Sequence, residues 1–553
     1  MNDPVLMNFV EDIFRRLART PERTVLQEVR EGRIVPTSSG ELLALIQSAR
    51  GFLRSAGLKK GDRCALLAPN GVRWTALELA IMAEGAIVVP LYARQPPGEL
   101  AGMMKDCAPA LLCCGNPELR DGIIQAWPQA ARSCLFEEIL SSDVKKAEGI
   151  PANLGDADPA TLIYTSGTSG EPKGVVLTVG NVTYMLSCTN SRLDLLMGER
   201  SEPEQVFHYL PTCFAASGIL LLTCLTRNTV MTFSTDLSKL ADELRLAAPE
   251  YFLNVPAVLE RIRAGIERQL EEKGGLALKL FRKGKEAWFR RQSGGIGMID
   301  SVALALAQAL VFSAIRRKIG ADLKALICGS APLAKETQLF FMMMGLPVLQ
   351  GYGLTETTGI CTLDDPRRVT PGRVGPAIPG CEMKLGDDGE ILVRGPNIFS
   401  GYWNRPQETA KVISNGWFRT GDQGEVDGEG NWRIIGRLKN LIIPTSGHNI
   451  APEPIEELLL RSIAGAQQVV LIGNGRSYLS ALIAGQVQRL DVEAGCQKVN
   501  SMLPHYKRIH AFHIVSEPFT IENGLLTANG KLKRDLIAAQ FKSEIEEMYR
   551  KAS

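Results

Sequence analysis

An alternation of short apolar runs with helical segments most constrains how this chain can fold. Residues 63–67 form an apolar run, apolar residues recur at helical spacing over 74–83, and a second apolar run covers 86–91. The pattern repeats with a helix predicted over 97–105 and a strand over 110–114. Strand–helix–strand units place parallel strands in one sheet and helices on its faces. The sequence therefore predicts the α/β class with mostly parallel, helix-covered sheets.

The pattern changes after about residue 380. Short alternating strands separated by Gly and Asp turns follow, as at 389–395, and predict a β-rich subdomain. Beyond it, helical and strand patterns mix again, with apolar runs such as 468–472. We therefore predict a large N-terminal domain over residues 1–439 and a small α+β C-terminal domain over residues 440–553.

Composition excludes several classes of protein. Of 553 residues 45% are apolar and 22% charged, which is typical of a globular chain with a large core. The 62 Lys and Arg residues balance 60 Asp and Glu, for a net charge of +2, so a surface built mainly to bind nucleic acid is not expected. The twelve cysteines form no CxxC pair and no zinc-type cluster, and we predict reduced, packed thiols.

The apolar segments predict a cytoplasmic protein. Residues 1–20 lack the basic and apolar regions of a signal peptide and instead show the spacing of an amphipathic helix. The longest apolar stretches, such as 301–315 and 218–225, are shorter than the ~20 residues that span a bilayer.

A loop within residues 161–174 has the composition of a phosphate-binding site. Glycines allow backbone N–H groups to converge on an anion, hydroxyls add donors and a lysine adds charge. Its polar and glycine members are Thr165, Ser166, Gly167, Thr168, Ser169, Gly170 and Lys173. The segment does not match the Walker A pattern, and the chain has no strand-linked GxGxxG and no GxSxG, so P-loop NTPases, dinucleotide dehydrogenases and α/β-hydrolases are disfavoured. A flexible connector is the alternative for such a loop taken alone.

Five further blocks follow this loop in order. They are 329–333 (GSAPL), 351–357 (GYGLTET), 416–422 (GWFRTGD), 436–440 (GRLKN) and 529–534 (NGKLKR). Together the six blocks resemble the signatures of adenylate-forming enzymes, the superfamily of acyl-CoA synthetases, luciferases and peptide-synthetase adenylation domains. The resemblance covers essentially the whole chain. Within this superfamily the chain is most similar to bacterial long-chain fatty acyl-CoA synthetases. Three stretches carry this closer resemblance: the long helical insert between 256 and 329 and the segments 445–452 and 521–527.

The resemblance implies a two-step reaction. A carboxylate is joined to ATP with release of pyrophosphate, and the thiol of coenzyme A then attacks the acyl-adenylate. It implies ATP, Mg²⁺ and coenzyme A as cofactors and a medium- to long-chain fatty acid as substrate. Two alternatives stay open: a fatty acyl-AMP ligase that loads an acyl-carrier protein, and a catalytically silent acyl or nucleotide binder.

The resemblance also assigns residues to the nucleotide. Glu356 would help to bind Mg²⁺, Tyr352 would flank the adenine, and Asp422 would accept hydrogen bonds from the ribose hydroxyls. Arg437 would lie near the ribose and phosphate. Further nucleotide-binding positions are Gly329, Ser330, Ala331, Gly351, Gly353, Thr355 and Gly447. The catalytic set would be Lys531, Glu356, Thr165 and Lys173.

Three assignments concern the acyl group and domain motion. By resemblance Phe214, with Gly329, borders the acyl carboxylate, although simple packing also explains a phenylalanine there. Asn440 would be the hinge of a mobile C-terminal domain. Lys531 would enter the site for adenylation, and rotation would then bring forward the face that carries Gly447.

The insert contains a basic segment over residues 279–291. It has six positive side chains and one negative one, with Phe281, Trp288 and Phe289 among them. Basic and aromatic residues favour an anionic membrane interface, so this segment predicts peripheral membrane contact, with a solvated helix as the alternative. No nucleic-acid partner is predicted, and the sequence leaves the oligomeric state and acyl chain length open.

Overall fold

The computed structural model describes residues 7–149, 151–166, 172–295, 297–527 and 530–550. Two large sheets carry most of the strands. The eight-stranded sheet has the spatial order Thr362–Leu363, Val348–Tyr352, Ala325–Cys328, Tyr251–Asn254, Glu204–His208, Thr229–Phe233, Thr24–Arg30, Arg33–Ser38. The seven-stranded sheet has the order Gly401–Tyr402, Pro172–Thr178, Pro159–Ser166, Ile87–Leu91, Arg63–Leu67, Leu111–Cys114, Ser133–Leu135. Most of their interior strands pair in parallel. Antiparallel strands form both edges of the eight-stranded sheet and one end of the seven-stranded sheet, whose other edge strand, Ser133–Leu135, pairs in parallel.

Two smaller sheets follow in the chain. The antiparallel five-stranded sheet contains Glu382–Leu385, Glu390–Arg394, Ile413–Ser414, Trp417–Val426 and Trp432–Arg437. The three-stranded sheet contains Ala466–Ile472, Leu479–Gly485 and Ile509–Val515. The first is the predicted β-rich region, and the second lies after residue 440, where mixed helix and strand are predicted.

Helices cover the sheets. Before the insert they are Phe9–Arg19, Ser39–Ser55, Val72–Ala83, Pro97–Cys107, Pro117–Ala126, Phe136–Leu140, Val179–Met197, Ala215–Leu225 and Leu240–Ala247. The insert contains Pro256–Lys273, Gly275–Gln292 and a continuous helix, Met298–Gly320, with one π turn at Gln308–Phe312. After it come Lys335–Met343, Pro406–Val412, Pro452–Ser462, Arg489–Met502, Arg534–Gln540 and Lys542–Arg550.

The N-terminal strand–helix–strand units lie where the apolar periodicity predicts them. Strand Arg63–Leu67 is buried, and the helix Val72–Ala83 that follows it packs into the main core. The first helix, Phe9–Arg19, buries one apolar side and is amphipathic, as predicted. All twelve cysteines are buried and unbridged, which confirms the prediction of packed thiols.

The insert departs from two expectations. No segment was expected to reach the length of a membrane span, yet helix Met298–Gly320 has 23 residues and, by length and composition alone, could cross a bilayer. The apolar run in the sequence is shorter than the helix, because the helix begins before the run and continues past it.

The aromatic side chains of the basic segment are the second departure, because they do not all face the solvent. Phe281 and Trp288 are buried in a protein core, which leaves Phe289 exposed.

The helix Val72–Ala83 contains a buried carboxyl group, that of Glu78. Glu78 is 4% exposed, and no hydrogen bond from the described residues reaches its Oε2. Burial raises the pKa of Glu78 to about 8. The carboxyl is therefore protonated in the folded protein at neutral pH.

We expect Glu78 to make the folded protein less stable as the pH rises from about 4.5 to 8. In this window the folded state binds the proton and the unfolded state has lost it, so the free energy of unfolding falls with pH, by about 3 to 5 kcal/mol in total. Glu78→Gln stays neutral and should remove this slope. Thermal unfolding of both proteins from pH 5 to 8 measures the difference, and parallel pH profiles would contradict the assignment.

Candidate active site

A hairpin presents Lys173. Strands Pro159–Ser166 and Pro172–Thr178 pair antiparallel, with Thr165 opposite Lys173. The Thr165 hydroxyl donates to the Lys173 carbonyl oxygen at 3.5 Å. Four predicted loop members, Gly167, Thr168, Ser169 and Gly170, lie outside the described residues, and Ser166 is the last residue of the first strand.

Lys173 belongs to a chain of polar contacts that leads to Glu356. Its Nζ donates to Glu408 Oε2 at 2.6 Å and lies 5.2 Å from the centre of the Tyr402 ring. The Tyr402 hydroxyl in turn donates to Glu356 Oε1 at 2.9 Å. The hydrogen bond from Lys173, followed by that from Lys411, lowers the pKa of Glu408 to about 2. The lysine of the phosphate loop is therefore already paired with a carboxylate.

Glu356 lies on a short 3₁₀ helix, Thr355–Thr357, directly after the strand Val348–Tyr352. Gly353 is required at this turn, because a Cβ there would lie 2.4 Å from the Ile360 Cα. Within the described residues no cluster of three metal-binding side chains occurs. A single carboxylate is nevertheless what Mg²⁺ uses when most of its ligands are phosphates and waters, so Glu356 fits the predicted role.

Asp422 joins two other predicted nucleotide-binding residues. The Tyr352 hydroxyl donates to Asp422 Oδ2 at 2.7 Å, and Arg437 Nε donates to Asp422 Oδ1 at 2.8 Å. The backbone N–H of Asp422 donates to the Thr420 hydroxyl at 3.1 Å, which fixes the turn. Burial, followed by the charge of Asp422, raises the pKa of Tyr352 well above its usual range, so its hydroxyl remains a donor.

The predicted adenine-side residues lie at the carboxyl ends of two adjacent parallel strands, Ala325–Cys328 and Val348–Tyr352. Ligands bind at such strand ends in open α/β sheets. Gly329 follows the first strand, and a Cβ there would meet the Gly351 carbonyl oxygen at 3.3 Å. Ser330 has φ of 71°, an uncommon conformation for a residue with a side chain. Ser330 and Ala331 are exposed at this edge.

Phe214 precedes the helix Ala215–Leu225 and is half-buried. Its ring centre lies 5.6 Å from that of Tyr92. The start of this helix approaches the loop after Glu356, because a Cβ on Gly359 would lie 3.2 Å from the Ala216 Cα. Phe214 therefore lies beside the Glu356 region, where a wall of the acyl site is predicted.

Lys531 faces this group of charges. Its side chain remains open to solvent, but the surrounding protein, followed by the positive charge of Arg437, lowers its pKa. The carboxylates of Asp422 and Glu356 act in the opposite direction, so both lie within electrostatic range of the ammonium group. Lys531 is therefore electrostatically coupled to the predicted nucleotide residues.

Two ion pairs hold the segment after Lys531. Lys533 Nζ donates to Glu99 Oε1 at 3.1 Å, on the helix Pro97–Cys107. Arg534 donates twice to Glu456, with both distances 2.6 Å. The C-terminal block therefore has contacts with both the large sheet region and the small three-stranded region.

The structure does not bring every predicted residue to the site. Gly447 forms a turn with its N–H donating to the Pro444 carbonyl at 2.9 Å, and the neighbouring His448 stacks on Tyr506 at 4.1 Å. Among the described residues, no hydrogen bond or ion pair links Gly447 to the Asp422 group. Asn440 ends a short 3₁₀ helix, and its side-chain amide donates to Glu453 Oε1 at 2.7 Å.

Two residues of the site were missed by sequence reasoning. Tyr402 and Glu408 join Lys173 to Glu356, yet neither belongs to one of the six blocks. The pairing of strand Gly401–Tyr402 with Val175 and Val176 brings them there. The Gly-Tyr-Trp sequence at 401–403 is the only local signal, and it does not by itself indicate a ligand site.

Matches to two family models identify the class of this enzyme. The AMP-binding enzyme family model matches residues 13–403, and the AMP-binding enzyme C-terminal domain model matches residues 439–553. The chain belongs to the AMP-binding enzyme family. This confirms the predicted family and the α/β fold class.

Several characterised proteins are similar to this chain. The long-chain-fatty-acid–CoA ligase FadD15 of Mycobacterium bovis is 28% identical, over 98% of this chain and 97% of its own. The chloroplastic long-chain-fatty-acid–[acyl-carrier-protein] ligase AEE15 of Arabidopsis thaliana is also 28% identical, over 90% of this chain and 80% of its own. The A domain of carboxylic acid reductase from Segniliparus rugosus, solved with AMP and a co-purified carboxylic acid, has a TM-score of 0.79 and 21% identity. It covers 100% of this chain and 95% of its own.

Proposed function

We propose that this protein activates a medium- to long-chain fatty acid with ATP and transfers the acyl group to coenzyme A, giving acyl-CoA, AMP and pyrophosphate. The observation that carries the proposal is the convergence of Lys531 on Asp422, Arg437 and Glu356. A cation within electrostatic range of the predicted ribose acceptor and the predicted Mg²⁺ ligand supports a role in adenylation. The near full-length similarity to FadD15 supports the fatty-acid substrate and the coenzyme A acceptor.

The side chains divide the work of adenylation. Asp422, oriented by Tyr352 and Arg437, accepts hydrogen bonds from the ribose hydroxyls. Lys173 and the Thr165 hairpin bind the phosphates, and Glu356 holds Mg²⁺, which neutralises phosphate charge. Lys531 stabilises the negative charge that builds up where the carboxylate and α-phosphate oxygens meet. Each of these groups positions or neutralises, and none acts as a nucleophile.

Residues 440–553 would form a separate domain that rotates about Asn440 between the two half-reactions. The separate three-stranded sheet and its own apolar core support this division. Among the described residues, no hydrogen bond links Gly447 to the Asp422 group, and this supports an adenylation arrangement in which the thioester-forming face is not yet at the site. We propose a cytoplasmic location for the enzyme.

A panel of acids tests the proposed substrate class. Pyrophosphate release with carboxylates from acetate to oleate, and with aryl acids, should be fastest for a medium- to long-chain fatty acid. Thioester formation should then be measured with coenzyme A and, separately, with an acyl-carrier protein. The acyl-carrier protein is included because the name of the similar protein AEE15 gives it as the acceptor. Thioester on the carrier alone would favour the acyl-AMP ligase. No pyrophosphate with any acid would favour the silent binder.

A further inference from the structure

The helix Met298–Gly320 exposes a continuous apolar side. From Ile299 onward, large side chains on this side recur at intervals of three to four residues, as on one face of a helix. Their exposed fractions are 85% for Met298, 85% for Ile299, 56% for Val302, 49% for Leu306 and 64% for Leu310. We call these five residues the apolar strip. Soluble domains seldom leave a strip of this kind uncovered.

The opposite side of the same helix is fixed to the protein. Leu304, Ala307 and Phe312 are buried in a core that includes residues of the neighbouring helix Gly275–Gln292. The two helices approach so closely at Gly284 that a Cβ there would lie 2.3 Å from the Ala307 Cβ. The strip is therefore the outer side of a packed helical layer.

An ion pair also holds the two helices together. Arg290 donates to both oxygens of Asp300, at 2.8 and 2.7 Å. This contact pairs the acidic residue next to the strip, so that no unpaired carboxylate lies among the five apolar positions. The strip itself carries no charge.

The same pair of packed helices carries exposed positive charge. The neighbouring helix exposes Lys279, Arg282, Lys283, Arg290 and Arg291, and the strip's own helix ends with exposed Arg317 and Lys318. Among the described residues, Lys279, Lys283 and Arg291 form no ion pair. An apolar side on the same helical layer as unpaired cations complements a surface that is apolar inside and anionic at its headgroups.

We propose that the apolar strip lies in the interfacial layer of an anionic membrane, with its helix parallel to the surface and the exposed cations of the two helices at the headgroups. A spanning arrangement does not suit this helix, because its other side is packed on the protein core. A second copy of the chain does not suit the strip either. A two-fold contact through it would bring the same basic helices together. The strip replaces the buried Phe281 and Trp288 as the apolar part of the membrane contact.

Vesicle binding of a double variant tests the proposal. Ile299→Ser with Leu310→Ser should lower partitioning onto phosphatidylcholine vesicles that contain phosphatidylglycerol by about tenfold, which corresponds to about 1.4 kcal/mol. Leu490→Ser with Met502→Ser removes two comparably exposed apolar side chains, 78% and 56% exposed, far along the chain and should bind like the wild type. Thermal unfolding and turnover of a short, water-soluble acid should be unchanged in both variants. Equal vesicle binding by the two double variants would overturn the proposal.

A fluorescent label measures insertion directly. Because all twelve native cysteines are buried, Ile299→Cys offers one exposed thiol for an environment-sensitive dye. The emission should shift to the blue with anionic vesicles, and less with pure phosphatidylcholine. An absent shift would overturn the proposal. So would a dimer in light scattering that the Ile299→Ser/Leu310→Ser variant loses, since this result would assign the strip to a second copy. These readouts do not depend on which acid the enzyme activates.

Discussion

Lys531→Ala is expected to slow formation of the acyl-adenylate from ATP by about 100- to 1,000-fold, the usual effect of removing one group that stabilises transition-state charge. Conversion of supplied acyl-adenylate to acyl-CoA should stay within about threefold of the wild type. The reason is the electrostatic influence that Asp422, Glu356 and Arg437 all exert on the ammonium group. In the proposed mechanism it would neutralise charge in the first half-reaction, and no role is proposed for it in the second.

The two half-reactions must be assayed separately on folded protein. Lys542→Ala removes an exposed lysine from the last helix and should leave both rates unchanged. If Lys531→Ala slowed both half-reactions equally, the lysine would serve folding. If neither rate changed, it would be a solvated surface residue.

Asp422→Asn should raise the KM for ATP by about 100-fold. The two ribose hydroxyls would then donate to a neutral amide instead of a buried carboxylate, and hydrogen bonds to a neutral acceptor are weaker than those to a charged one. The KM for the fatty acid should change little. Asp422 is 3% exposed and already accepts from Tyr352 and Arg437, so the carboxylate is held in one orientation before ATP binds.

Tyr352→Phe is the matched control for Asp422→Asn. It keeps the ring and removes the hydroxyl that donates to Asp422, so it should raise the KM for ATP only a few-fold. Equal effects of the two substitutions would mean that Asp422 mainly holds Tyr352 in place. A rise confined to the KM for the acid would move Asp422 into the acyl site.

Local patterns predict the parts of the fold that depend on local sequence. The strand Arg63–Leu67 and the helix Pro97–Cys107 begin at the predicted residues, because apolar periodicity and an N-terminal proline act within a few residues. The grouping of Asp422 with Arg437 was also predictable. Each belongs to a motif at a strand or turn, and the two strands are neighbours in the chain.

Contacts between distant segments could not be predicted in this way. Glu408 reaches Lys173 across 235 positions of sequence, through an edge strand of two residues that no pattern identifies. The orientation of the Phe281 and Trp288 side chains could not be predicted for a different reason. Their helix carries apolar and basic residues on several sides, so periodicity alone does not say which side meets protein and which meets water.

The two cations that follow Lys531 form ion pairs with two different parts of the chain: Arg534 with Glu456, and Lys533 with Glu99 on the helix Pro97–Cys107. Under rotation about Asn440, the contact of Arg534 with Glu456 would travel with the moving segment, whereas Lys533 would have to leave Glu99. A partly exposed ion pair contributes about 0 to 1 kcal/mol, so thermal motion suffices to open it. The delay between adenylation and thioester formation would then depend on the ion pair of Lys533 with Glu99. Added salt should shorten that delay, because it screens the attraction between the two side chains.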